Sequence, residues 1–77
     1  MDTTQLIAAC GGADLLSQRL RDIGATGYSQ HACAKWRIRG LPDSYSLRIA
    51  LVRIIDGVPL DSASKEAAIS LVRQVQA

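Results

Sequence analysis

Phenylalanine is absent from this chain, tyrosine occurs twice and tryptophan once. A sandwich or barrel of this size would want aromatic and β-branched alternation. The core is therefore expected to be aliphatic, built from Leu, Ile, Val and Ala on helices. Cysteine is scarce too: Cys10 and Cys33 form no CxxC pair and have no neighbour at zinc-ligand spacing. They read as two small apolar residues in a reducing cytoplasm, with a disulfide as the alternative. No apolar run approaches the roughly 20 residues that span a bilayer. The start, MDTTQLIAAC, is acidic and lacks a basic n-region, so no secretory leader is expected. A chain of 77 residues has room for one domain, residues 1–77, and no second core.

Charge is present in both signs, with a small excess of +2. Its distribution is more informative than its sum. Seven of the nine basic residues (Arg19, Arg21, Lys35, Arg37, Arg39, Arg48 and Arg53) lie in the middle of the chain, where only Asp22 and Asp43 oppose them. Such clustering is compatible with one face that meets an anionic partner.

Apolar spacing divides the chain into five helical segments. Asp2 followed by Gln5 fits a capping box, Leu6, Ile7 and Cys10 form a short stripe, and Gly11-Gly12 stops it. ADLLSQRLRDIG then places Leu15, Leu16, Leu20 and Ile23 at helical spacing, with Gly24 as the C′ residue. After a turn at Ala25–Tyr28, Ser29 caps a third helix that ends at Gly40. Leu41-Pro42-Asp43 opens a fourth, with Leu47, Ala50, Leu51, Ile54 and Ile55 as its stripe and Gly57 just past its end. A fifth begins near Asp61 or Ser62 and carries Ala68, Ile69, Val72 and Val75 inward. The expected fold is all-α with short connections, the last two helices covering about residues 42–76.

The third segment, YSQHACAKWRIRG, holds the single His and the single Trp. At about 100° per residue, Trp36 centres a buried arc that includes Ala32, Cys33 and Ser29. Gln30, His31, Ala34, Lys35 and Ile38 gather opposite, and Arg37 and Arg39 take the two shoulders. Such a helix suits the major groove of DNA. Gln30 can pair with adenine, Lys35 can donate to guanine, His31 can donate to a base or phosphate acceptor, and Ala34 can touch a thymine methyl. Arg37 and Arg39 would meet phosphates, which position a helix without specifying sequence. Ile38 is awkward on that face, expected either to escape the groove or to touch a partner subunit.

These residues resemble a known family. GGADLLSQRL (Gly11 to Leu20) is similar to the start of the second helix of lambda-repressor-like, phage Cro-type regulators. SQHACAKW followed by RIRGLPDSY (Ser29 to Tyr45) resembles their recognition helix and its exit, and the nearest subgroup is that of YdaS-like antitoxin repressors. The resemblance covers residues 11–45 and fades beyond them. It implies a five-helix domain with a helix-turn-helix at about 13–40, reading DNA through residues 29–39. By position, Gln30, His31, Ala34 and Lys35 would read bases, while Ser29 would cap and meet a phosphate. Cys33 would fill a core position usually held by Val, and Ser17 a small position, often Ala, where two helices cross. One departure stands out: eight residues, Arg21 to Tyr28, separate Leu20 from the cap, about six more than the family uses. They read as an extra turn on the second helix, with Ile23 in the core, and a wider loop at Gly24–Gly27. Arg21 and that loop could add a phosphate contact.

The expected function is a sequence-specific repressor of phage or prophage type. One helix offers few base contacts, each worth roughly 1–3 kcal/mol, so a homodimer on a roughly palindromic operator is expected. Its contact surface is expected on the fourth or fifth helix. The alternative is a protein-binding antitoxin or anti-repressor module with secondary or no DNA binding. An enzyme is not expected: His31 and Cys33 lie two apart on a helix and face different ways, and no phosphate loop or carboxylate pair appears. Nor is a cofactor or metal, because Cys10, Cys33 and His31 would have to converge against their helical phases.

Overall fold

A computed structural model describes residues 1–74; Val75, expected on the core face of the fifth helix, lies outside the described residues. Those residues form five α-helices and no strand: α1 (Thr3–Ala9), α2 (Gly12–Asp22), α3 (Gln30–Arg39), α4 (Tyr45–Gly57) and α5 (Ser62–Gln74). Every helix contributes to one cluster of buried aliphatic side chains, joined by Cys10, Cys33 and Trp36.

The short α1 is made possible by its cap and its packing. The amide of Gln5 donates to Asp2 Oδ1 and the amide of Asp2 donates to Gln5 Oε1, both at 2.8 Å, which satisfies two donors that a helix start leaves free. Leu6 and Ile7 are then buried on one face, followed by Cys10. Gly11 makes the corner to α2 at φ 97°, a conformation costly for any residue with a Cβ. The side chain of Leu15 also occupies the space a Cβ there would need.

Along α2 the buried residues are Ala13, Leu16, Ser17 and Leu20, spaced by three or four. Leu15, expected in the core, is 39% exposed. It lies about 100° around the helix from Leu16, and the packed sides of α1 and α3 select Leu16. The end of α2 follows the expected extra turn. Gly24, at φ 87°, donates to Arg21 O at 3.0 Å, and Ala25 donates to Leu20 O at 2.8 Å. These are the two bonds of a Schellman motif, with Gly24 at C′. Ile23 and Ala25 are half-buried against the core, so the connection is packed down.

Two boundaries differ from expectation. The fourth helix does not begin at Pro42; Ser44 caps it, its hydroxyl accepting from Leu47 N at 3.2 Å. A side-chain cap there satisfies a donor that Pro42 could not, and Leu41–Asp43 become part of the connection. At the other end Gly57 is the last helical residue, with buried Val58 as the C-cap. The expected stripe of α4, from Leu47 to Ile55, is buried throughout. Asp61 accepts from Ser64 N at 2.7 Å at the start of α5, which buries Ala68 and Val72, with Ile69 half-buried.

Candidate nucleic-acid interface

The third helix is anchored from below. Cys33 is fully buried and Trp36 is 5% exposed. The ring of Tyr28 meets Trp36 edge-on, with centroids 5.8 Å apart and planes at 64°, a favourable arrangement for two aromatic quadrupoles. Ser17 is buried where α2 crosses α3, and its hydroxyl donates to the Tyr28 carbonyl at 2.7 Å. These contacts set the height and rotation of α3.

Its start is set by Ser29, whose hydroxyl oxygen accepts from Ala32 N at 3.1 Å. A hydroxyl that accepts still has its own proton to donate, and Ser29 is exposed. Arg21 and Ser29 line one shallow concavity with the loop Ala25–Tyr28. Arg21 thus lies beside the N-terminus of α3, where backbone donors and the helix dipole favour an anion.

On the outer face, Gln30, His31 and Lys35 are exposed, as are Arg37 and Arg39. Arg39 and Lys35 border a cleft that continues along Leu41 and Pro42. Ala34 departs from expectation: it is half-buried and packs against the core. Both α1 and α2 pack on α3, which widens its buried arc beyond what one neighbouring helix would cover. Ala32, expected in the core, is likewise half-buried. In place of Ala34 the outermost row is His31, Lys35 and Ile38, at i, i+4 and i+7. Ile38 is 88% exposed; its helical phase already placed it there.

The basic residues line several depressions. Arg21, Lys35, Arg37 and Arg39 accompany α3. Arg48 sits 3.8 Å from the Asp43 carboxylate and 5.9 Å from the centre of the Tyr45 ring. Arg53 lies with Arg48 along a groove between α4 and α5, and with Arg19 along another depression.

Both thiols are buried and free, and burial pushes each above the ordinary cysteine range. For Cys10 the charge of Arg19 opposes that shift without cancelling it. Among the described residues no three His, Cys, Asp or Glu side chains group as metal ligands, and no helix is long and apolar enough to cross a membrane. Comparison with known protein families, curated proteins and solved structures finds no match for this chain.

Proposed function

We propose that the chain is a sequence-specific DNA-binding regulator, a binding protein and not an enzyme, that lays α3 in the major groove. The observation that carries this reading is the split of α3 itself. Cys33 and Trp36 lock one side into the core, while Gln30, His31 and Lys35 stand exposed on the other, between Arg37 and Arg39. Hydrogen-bonding groups at the centre with cations on the shoulders match base edges between two phosphate backbones. In this reading α2 and α3 form the helix-turn-helix of a lambda-repressor-like domain, and the Schellman-capped connection at Gly24 is a local enlargement of its turn.

Gln30, His31 and Lys35 read bases; Ser29, Arg21, Arg37 and Arg39 hold phosphates. Ala34 contributes at most a glancing apolar contact, since it is half-buried. Two copies bind a roughly palindromic site, because one helix supplies too few contacts for tight binding. Repression in a phage or prophage setting is the role the family resemblance suggests. A gel shift with DNA from upstream of the coding sequence tests the reading. The double variant His31→Ala, Lys35→Ala is expected to lose discrimination between that site and unrelated DNA. Unchanged discrimination would show that α3 does not read the sequence.

One observation favours a second reading, a protein-binding antitoxin or anti-repressor module. A groove of about 360 Å³ between α4 and α5 is lined by Tyr45, Ile49, Val52 and Val72 beside Arg48, Arg53 and Arg73. Tyr45 is 73% and Ile49 46% exposed, and apolar surface of this kind gains more from a protein than from phosphates. Salt separates the two readings: neutralising several phosphates makes DNA affinity fall steeply as salt rises.

A further inference from the structure

Ile38 is the most exposed large apolar side chain among the described residues. Of the others, Tyr45 and Ile49 border one groove, and Leu15 lies over Gly11. Ile38 stands instead between Arg37 and Arg39 and one turn beyond Lys35, all three exposed. A protein partner that covered Ile38 would have to strip water from three cations, which is costly unless each finds a carboxylate. The major groove makes no such demand, because its rims are anionic and its floor carries one apolar group, the C5-methyl of thymine.

We propose that Ile38 reads a thymine through that methyl group and is a specificity-determining residue. The inference rests on the DNA-binding reading above and deepens it. As a β-branched residue Ile38 has one strongly preferred χ1 in a helix, so little rotamer freedom is lost when it docks. His31 and Ile38 are seven residues apart, a rise of roughly 10 Å along α3. That span corresponds to about three base-pair steps, so the thymine lies within a few base pairs of the pair that His31 reads. Ile38 thereby takes the apolar role for which half-buried Ala34 is poorly placed.

The test uses the DNA site selected by the full chain and replaces each thymine in turn by deoxyuridine, which removes only the methyl. At one thymine per half-site, within a few base pairs of the position that His31→Ala affects, the replacement is expected to weaken binding about fourfold, as for one methyl left in water. Ile38→Ala is expected to weaken binding to the intact site by a similar factor or more and to abolish sensitivity at that thymine alone. Ile38 makes no core contact, so the variant keeps the fold. If deoxyuridine costs Ile38→Ala as much as the parent at every position, Ile38 reads no thymine and the inference falls while DNA binding stands. If the chain enriches no DNA site, both fall together.

Discussion

The Ser17 hydroxyl donates to the Tyr28 carbonyl at 2.7 Å, joining the middle of α2 to the residue before the cap of α3. Ser17 is 3% exposed, so little water reaches the bond. Ser17→Ala would leave the part-buried carbonyl without this donor and is expected to lower stability by about 1–2 kcal/mol. Urea unfolding followed by the fluorescence of Trp36 checks this, and an unchanged midpoint would show that the bond contributes nothing net.

Gly24 is expected to resist substitution for a backbone reason alone. A Cβ there meets nothing within 4 Å, yet φ is 87°. Gly24→Ala should therefore cost about 1–2 kcal/mol, the penalty of the left-handed conformation. Gly24→Asn should cost less, because asparagine tolerates that region. Thermal unfolding of the two variants gives the order.

Cys10 and Cys33 are expected to be unreactive in the folded chain. Burial raises both thiols above their ordinary value, so the thiolate, the reactive form, is scarcer at any given pH as well as shielded. Alkylation by iodoacetamide at pH 8 should be slow in buffer and fast in urea. Rapid labelling of the native chain would mean that α1 or α3 opens readily.

How much of this was legible depended on how local the cause is. The capping box of Asp2 and Gln5, the cap at Ser29 and the C′ glycine at Gly24 involve residues three to five apart, and their side chains announce them. Cys33 and Trp36 were readable as core from helical phase. The choice of Leu16 over Leu15 was not, since adjacent leucines on α2 have equal propensity and only the position of the neighbouring helices decides. Ala34 is half-buried for the same reason, with two helices packing on α3. The start of α4 went to Ser44 because two locally acceptable signals competed, a proline and a capping serine. Charge clustering over 19–53 names the basic residues, but position along a chain of helices does not fix the side on which a side chain emerges. Tyr28 read only as part of a turn, and nothing in the pattern linked its ring to Trp36 or its carbonyl to Ser17.

Arg37 and Arg39 are expected to supply affinity without specificity. Replacing both by Ala should weaken binding to all DNA sequences by similar factors. It should also make the salt dependence shallower, by about 0.9 in the log–log slope for each phosphate that is no longer neutralised. Titrations at several salt concentrations check this; an unchanged slope would place the two arginines away from the phosphates.

The most direct measurement is selection of bound fragments from random duplex DNA by the full chain at two salt concentrations. The expected result is one enriched, roughly palindromic site with half-sites about 34 Å apart or a multiple of that, bound more weakly at the higher salt. The double variant His31→Ala, Lys35→Ala should enrich a degenerate or different site. No enrichment at either salt, or the same site selected equally well by the double variant, would contradict the assignment of α3 as a DNA-reading helix.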